Sequence, residues 1–166
     1  MKKISIVTSC FNEEDNISIL HKELDEILAK YHGKYDFEMI FIDNASTDFT
    51  QDELRKIADK DRRVKVIINS RNFGSIKSPY YAICQATGNA VIYLASDLQD
   101  PPSLIDEFIE NWEKGCEVVI ARKYDSQKFR FLDVLKKFYY YALDKLKDEG
   151  TKLVYNYKGF GLYDKK

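Results

Sequence analysis

The chain has 166 residues, the size of one globular domain with a single hydrophobic core. Hydrophobic residues make up 45% and charged residues 32% of the sequence, an ordinary globular balance that argues against intrinsic disorder. The formal net charge is −1, so the chain lacks the basic field that attracts nucleic acid, and we expect no nucleic-acid partner.

Neither the cysteines nor the hydropathy pattern indicates a secreted or membrane-spanning segment. The three cysteines, Cys10, Cys84 and Cys116, show no C-x-x-C spacing, so a reduced chain fits better than a disulfide or zinc site. Cys10 and Cys116 adjoin apolar runs and are expected to be buried. No window within this sequence approaches the roughly 18 to 20 apolar residues of a membrane span.

Short apolar runs alternate with amphipathic helical patterns along the chain. Strands are predicted at residues 4–11, 37–42, 64–68, 90–95 and 118–121. Helices are predicted from about Glu14, across residues 51–59, from near Pro79, and from Pro102 and Ser103 to Gly115. Near-continuous apolar strands separated by helices predict an α/β fold of three layers, with a mostly parallel sheet covered by helices on both faces.

The domain organisation is predicted to be one domain over residues 1–166, with a core at 1–123 and an acceptor-side region at 124–166. Residues 129–146 show an apolar stripe surrounded by lysines and arginines. This segment is either a helix packed on the sheet or, over residues 128–147, a basic aromatic helix resting on a membrane surface. The pattern stops midway at residues 163–166, which predicts that the native protein continues.

Polar residues collect after four of the predicted strands, where open parallel sheets bind ligands. They are Ser9, Asn12, Glu13 and Glu14; Asp43, Asn44, Ser46, Thr47 and Asp48; Asn69, Arg71 and Asn72; and Ser96, Asp97, Gln99 and Asp100. Turn formation and helix capping explain Asn12, Ser46 and Asp48. They do not explain the two carboxylates that bracket a glutamine in the D-L-Q-D-P-P segment at 97–102.

The ligand suggested by this edge is a metal–nucleoside diphosphate. The sequence contains neither the G-x-G-x-x-G loop nor the GxxxxGK[ST] loop that cradles phosphates. A carboxylate-rich edge repels a bare diphosphate, so a divalent cation such as Mg2+ or Mn2+ must lie between them. Asp43 or Asn44 would then be free to hydrogen-bond a base or ribose.

Four segments carry a family resemblance: T-S-C-F-N-E-E at 8–14, F-I-D-N-A-S-T-D at 41–48, S-R-N-F-G at 70–74 and S-D-L-Q-D-P-P at 96–102. In this order and spacing they resemble the family 2 glycosyltransferases of the GT-A fold. Within that family they are most similar to the polyisoprenyl-phosphate glycosyltransferases, the group of bactoprenol glucosyltransferases and dolichyl-phosphate mannosyltransferase. The resemblance runs from residue 4 to about 123 and more weakly to the end.

The resemblance implies a role for each matching residue. A nucleotide-binding set would hold the nucleoside and its loops, and comprises Ser9, Asn12, Glu13, Asp43, Asn44, Ser46, Arg71, Ser96 and Asp97. Asp97 and Gln99 would bind the metal and diphosphate. The implied catalytic set is Asp97 and Asp100, with Arg122 and Arg130 near the diphosphate and the acceptor phosphate.

The implied reaction transfers a sugar from a UDP- or GDP-sugar to an acceptor, with inversion at the anomeric carbon and Mg2+ or Mn2+ as cofactor. A polyprenyl phosphate at the cytoplasmic face of the plasma membrane is the expected acceptor. Two departures bear on this: Ala95 replaces the first Asp of the family's D-x-D, and Gly159 and Gly161 replace Asp and Arg of a G-D-F-R-L-like segment. Two alternatives remain, a saccharide acceptor in capsule or cell-wall assembly, and a nucleotide-sugar-binding module with little catalysis.

Overall fold

The computed structural model of the chain describes residues 1–122 and 157–166. In chain order the elements are β1 (Lys2–Cys10), α1 (Glu14–Ala29), β2 (Tyr35–Asp43), α2 (Thr50–Lys60), β3 (Val64–Ile68), α3 (Gly74–Gln85), β4 (Ala90–Ala95), α4 (Leu104–Glu113), β5 (Val118–Arg122) and β6 (Tyr157–Asp164). The predicted basic helix at 129–146, its membrane-surface alternative at 128–147, and Arg130 lie outside the described residues.

The strands form one six-stranded sheet in the order β3-β2-β1-β4-β6-β5. β1 pairs in parallel with both β2 and β4, and β2 pairs in parallel with β3. β6 pairs antiparallel with β4, so the sheet is mostly parallel, as predicted. The sequence did not predict β6, because Gly159 and Gly161 weaken its strand propensity and its pairing with β4 is a tertiary contact.

Alternating side chains of the strands supply two separate cores. On one face of the sheet, Ile4 and Ile6 of β1 join the buried side chains of α1, α2 and α4. On the other face, Val7 packs with Ala82 and Ala86, at the end of α3. Successive side chains of a strand point to opposite faces of the sheet, and helices cover each of the two faces. This confirms the three-layer α/β prediction.

Two compact units divide the chain: Met1–Ala121 with Gly159–Lys166, and Arg122–Lys158. All of the described helices belong to the first unit. No helix in the described part of the chain combines the length and hydropathy needed to cross a bilayer.

Two local predictions were wrong. The third helix begins at Gly74, so Pro79 lies inside it rather than in its first turn. Its start is set by the side chain of Asn72, whose Oδ1 accepts the Gly74 N–H at 2.8 Å. Cys116 is exposed, because it lies in the turn after α4 that Gly115 forms with a φ of +97°.

Candidate functional site

The site lies where the strand order reverses, between the carboxyl ends of the parallel strands β1 and β4. Ser9 pairs with Ala95 in this register. The backbone N–H and Oγ of Ser96 both donate to the Ser9 carbonyl oxygen, at 3.3 and 3.0 Å, and hold the two strand ends together. β1 continues to α1 on one face, whereas α3 covers the opposite face. Such a divergence opens a crevice at the strand ends.

A cavity of about 230 Å³ occupies this crevice. Five of the predicted site residues line it: Ser9, Glu13, Asn44, Ser96 and Asp97. The other lining residues are Cys10, Phe11, Asn72, Gly74, Ser75, Ser78, Pro79 and Ala95. The structure therefore brings together residues that follow β1, β2 and β4, with one wall supplied by the start of α3.

Hydrogen bonds fasten the loop after β1 to the loop after β2. The Asn12 N–H donates to Ser46 Oγ at 2.9 Å, and Asn12 Oδ1 accepts the Thr47 N–H at 2.9 Å. The Glu13 N–H donates to Thr50 Oγ1 at 2.8 Å. Asn12 and Ser46 thus shape the loops beside the cavity without being among its lining residues.

Asp43 is fully buried at the end of β2. Its carboxylate accepts the Ser46 N–H at 3.1 Å and the Gln51 Nε2 at 2.9 Å. The protein itself therefore already uses the Asp43 carboxylate, which was expected to be free to hydrogen-bond a base or ribose. Contact of Asp43 with a nucleoside stays a prediction.

Asn44 is a buried hub that orients the wall of the cavity. Its Oδ1 accepts hydrogen bonds from Asn69 Nδ2 at 3.1 Å and from the Phe73 N–H at 2.9 Å. Its Nδ2 donates to Asn72 Oδ1 at 2.9 Å. Since Asn72 and Gly74 line the cavity, the Asn44 amide fixes the shape of that wall.

The loop that carries Asp97 is held by local contacts and a strained backbone. Asp97 is half-buried, and its Oδ1 accepts the Gln99 N–H at 3.1 Å. Asn12, Ala45 and Leu98, with φ of 56°, 64° and 53°, are the non-glycine residues with positive φ in the described part of the chain. One follows each of β1, β2 and β4, and left-handed residues of this kind concentrate at functional sites.

Two residues at or beside the cavity were not among the predicted site residues: Cys10, which lines it, and Tyr93, which contacts Ser9. Tyr93 places its hydroxyl 2.8 Å from Ser9 Oγ. Burial raises the pKa of the Tyr93 phenol and the nearby carboxylates Asp97 and Asp100 add to this, so the phenol stays protonated. Burial likewise raises the pKa of the Cys10 thiol to about 12, which excludes a thiolate nucleophile there. The alternation of β4 could have revealed Tyr93, since it faces the same side as Ala95.

The remaining predicted residues lie outside the lining of the cavity. The Arg71 guanidinium, on an exposed residue, stacks over the Phe73 ring at 4.4 Å from its centre. Gln99 is exposed and Asp100 is half-buried in the loop after Asp97. Arg122 is the exposed last residue of β5 and belongs to the second unit.

The acidic residues that line the cavity fit a divalent cation that is bound together with a diphosphate. Among the described residues, no group of three or more His, Cys, Asp or Glu side chains is placed to hold a metal ion. Asp97 and Glu13 are the carboxylates that line the cavity. Because Mg2+ commonly binds through one or two carboxylates and the phosphates of its substrate, this set fits a metal–diphosphate better than a metal alone.

Comparisons with known proteins agree with this architecture. A glucosyl-3-phosphoglycerate synthase from Mycobacterium tuberculosis, solved with Mn2+, UDP and phosphoglyceric acid, superimposes with a TM-score of 0.65. It is 21% identical and the match covers 98% of this chain and 56% of that chain, a likeness that shows the fold.

Two curated relatives match in sequence. An uncharacterized glycosyltransferase of Synechocystis is 33% identical over 99% of this chain and 51% of its own length. A prophage bactoprenol glucosyl transferase homolog of Escherichia coli is 36% identical over 74% of this chain and 40% of its own length. The chain thus spans about half or less of the length of these relatives. The profile of glycosyl transferase family 2 matches residues 5–166, and the chain belongs to that family.

Proposed function

We propose that the protein transfers a sugar from a nucleoside diphosphate sugar to a lipid phosphate at the cytoplasmic face of the membrane, with inversion at the anomeric carbon. The observation that carries this proposal is the convergence of Ser9, Asn44, Ser96 and Asp97 on one cavity at the carboxyl ends of β1, β2 and β4. The family membership and the UDP in the Mycobacterium tuberculosis structure support a nucleotide-sugar donor.

Asp97 is the residue we assign to the divalent metal, with Gln99 or Asp100 as a second oxygen ligand. Asp97 lines the cavity, and Gln99 and Asp100 follow it in the same loop. The Mn2+ in the structural neighbour supports Mg2+ or Mn2+ as the cofactor. When bound, such a cation stabilises negative charge on the departing diphosphate.

The chain's own groups position the donor. Ser9 and Ser96 line the cavity at the strand ends, where the Ser96 hydroxyl donates to the Ser9 carbonyl oxygen, and the Asn44 hub holds another wall. In the transfer, an acceptor oxygen forms a bond to the anomeric carbon as the bond from that carbon to the diphosphate breaks. The nucleoside diphosphate leaves with the bonding electron pair. Holding these atoms in line is the main task of the site.

A lipid phosphate is the acceptor that fits best, because it is already an anion near neutral pH and needs no base to remove a proton. Gly159 stands where the family resemblance implies an Asp, and a missing base would disable transfer to a hydroxyl. The name of the Escherichia coli relative, a bactoprenol glucosyl transferase homolog, supports the same acceptor class.

The test compares Asp97→Ala with Asp15→Ala, an exposed aspartate on α1 that does not line the cavity. Transfer from labelled UDP-glucose or GDP-mannose to undecaprenyl phosphate is measured with Mn2+ or Mg2+. We expect Asp97→Ala to lower kcat/KM at least about 100-fold. The aspartate control should keep the activity of the parent chain, and full activity of Asp97→Ala would refute the metal assignment.

The same assay separates the alternatives. Transfer to a soluble saccharide with none to the lipid phosphate would favour a polysaccharide-assembly enzyme. Metal-dependent UDP binding with no turnover on any donor and acceptor would favour a nucleotide-sugar-binding module, for which Ala95 in the cavity lining is the motivating observation.

A further inference from the structure

The outer side of α3 and the end of β3 carry an exposed apolar patch. The α3 patch consists of Ile68, Phe73, Ile76, Tyr80 and Tyr81, which are 40%, 37%, 81%, 68% and 53% exposed. In the described part of the chain, these five are half of the ten exposed large hydrophobic residues. Clustered rather than scattered exposure of this kind marks a binding surface.

The stretch of sequence that carries the α3 patch lacks carboxylates. From Arg62 to Ser96 the sequence contains no Asp or Glu but five Arg or Lys residues. Three of the five lie before β3 or at its start, and two of these, Arg63 and Lys65, form ion pairs with Asp61 and Glu38. Since 27 of the 166 residues are acidic, a stretch of this length would on average contain about six. Arg71 and Lys77 lie within the patch sequence, and neither forms an ion pair with the described residues.

A groove deepens the patch between β3 and α3. It has a volume of about 510 Å³ and is lined in part by Ile68, Phe73, Lys77 and Tyr81. The groove therefore combines apolar walls with the ammonium group of one lysine. This chemistry matches an acyl chain beside an anionic headgroup.

The α3 patch adjoins the donor cavity without belonging to it. Gly74, Ser75, Ser78 and Pro79 of the same helix line the cavity, whereas Ile76 and Tyr80 do not. A surface that held the outer side of α3 would therefore lie close to the mouth of the crevice.

We propose that the α3 patch docks the protein on an anionic lipid surface. Tyrosine and phenylalanine rings favour the headgroup region, aliphatic side chains enter the acyl boundary, and Arg71 and Lys77 meet the negative surface potential. Because residues 62–96 contain no carboxylate, this stretch itself adds no repulsion to the contact. This proposal deepens the proposed function and rests on it, because the lipid surface would present the lipid-phosphate acceptor to the site.

The experiment measures co-sedimentation of the 166-residue chain with vesicles of phosphatidylcholine alone or mixed with phosphatidylglycerol. The test variant is Ile76→Ser/Tyr80→Ser, and the matched control is Ile19→Ser, a 50% exposed isoleucine on α1. We expect the parent and the control to bind mixed vesicles, more weakly as salt rises, and the test variant to bind at least about tenfold more weakly. Lys77→Glu should weaken binding severalfold, while Lys60→Glu, on the exposed end of α2, should not.

Circular dichroism and UDP binding show whether each variant keeps its fold and its donor site. Equal vesicle binding by the test variant and Ile19→Ser would overturn the proposal, as would no preference for phosphatidylglycerol. Self-association of the parent chain that the test variant abolishes would also overturn it, in favour of a protein interface. Asp97→Ala should bind vesicles as the parent chain does, because Asp97 is not part of the α3 patch. If the parent chain binds vesicles but transfers no sugar to any acceptor, the catalytic proposal alone is refuted.

Discussion

The hydroxyl of Tyr93 lies 2.8 Å from Oγ of Ser9, so the adjacent strands β4 and β1 share a pair of hydroxyls beneath the candidate donor cavity. The phenol is the more acidic of the two, and its raised pKa keeps it protonated. We therefore assign Tyr93 as the donor to Ser9, which leaves the Ser9 proton available to an oxygen atom in the cavity. Tyr93 is thus a positioning residue that acts through Ser9.

Tyr93→Phe removes this hydrogen bond and keeps the aromatic ring. We expect the Kd for UDP to rise about fivefold, because one such bond contributes about 1 kcal/mol. Calorimetric titration of UDP checks this, with Ser9→Ala and the double variant completing the cycle. The Tyr93 substitution should have little further effect in the Ser9→Ala background, and additive effects of the two changes would contradict the relay.

Glu38 gives the protein an acid-sensitive contribution to stability. It is 2% exposed, and its carboxylate accepts hydrogen bonds from Ser5, Lys65 and Thr87. Burial acts to raise its pKa, but these bonds outweigh burial and hold the pKa at about 2, below the ordinary 4.5. Because the pKa is lower in the folded state, the stabilisation is full above about pH 4.5 and is lost as the pH falls toward 2.

We expect Glu38→Gln to lower the free energy of unfolding by about 3 kcal/mol at pH 7, the equivalent of this pKa shift. The difference between parent and variant should shrink as the pH falls from 5 toward 2. Urea unfolding at a series of pH values measures it. A difference that stays constant over that range would show that the charge of Glu38 is not its source.

Gly159 is constrained by both its backbone and its neighbour. Its φ is +103°, and a β-carbon there would lie 3.0 Å from Cε1 of Tyr93. Gly115 is a matched control, since its φ is +97° but a β-carbon would meet no atom within 4 Å. We expect Gly115→Ala to cost about 1 kcal/mol of unfolding free energy and Gly159→Ala about 2 kcal/mol.

Removing the Tyr93 ring shows how much of the Gly159→Ala cost comes from the contact of the new β-carbon with that ring. In a Tyr93→Ala background, the excess cost of Gly159→Ala over Gly115→Ala should disappear, because only the backbone term remains. Urea denaturation provides the comparison. If Gly159→Ala costs no more than Gly115→Ala in the parent chain, the ring does not limit this position.

The fold was largely predictable because its central strands β1, β2 and β4 are mostly buried and its helices bury one side. Continuous apolar runs mark β1 to β4, and the apolar spacing of α1 and α4 marks their buried sides. β6 escaped prediction because its glycines are required by tertiary contacts: a β-carbon at Gly161 would lie 2.7 Å from the Val119 carbonyl oxygen. Such a requirement leaves no local periodicity.

The location of the candidate site was predictable, but which of its residues face the cavity was not. Polar residues after parallel strands indicated the edge of the sheet, and the cavity lies there. Sequence patterns do not distinguish a carboxylate that faces a ligand from one that the protein uses itself. The Asp43 carboxylate accepts hydrogen bonds from Ser46 and Gln51, whereas Asp97 lines the cavity. In the sequence, Tyr93 is indistinguishable from any aromatic residue of a strand, because its hydrogen-bond partner, Ser9, lies 84 residues away.

Asn44→Ala should loosen the wall of the cavity. The substitution leaves the Phe73 N–H and Asn69 Nδ2 without their acceptor, so we expect a loss of about 2 kcal/mol of unfolding free energy. Amide hydrogen exchange should accelerate at Phe73, and the Kd for UDP should rise. Asn111→Ala, which removes an exposed side-chain bond to Glu107, is the control and should cost under about 0.5 kcal/mol. Unchanged exchange at Phe73 would contradict the role of Asn44 as a hub.

Ala95→Asp tests whether the missing carboxylate limits metal binding. Ala95 and Asp97 both line the cavity, so an added carboxylate would face the same space. We expect Mn2+-dependent UDP binding to tighten about tenfold, because a second carboxylate ligand strengthens a site for a hard cation. Ala95→Asn, of nearly the same size but uncharged, is the control and should not tighten binding. Calorimetric titration of UDP with and without Mn2+ measures both. Equal effects of Asp and Asn at this position would show that size rather than charge governs it, and would place the metal away from residue 95.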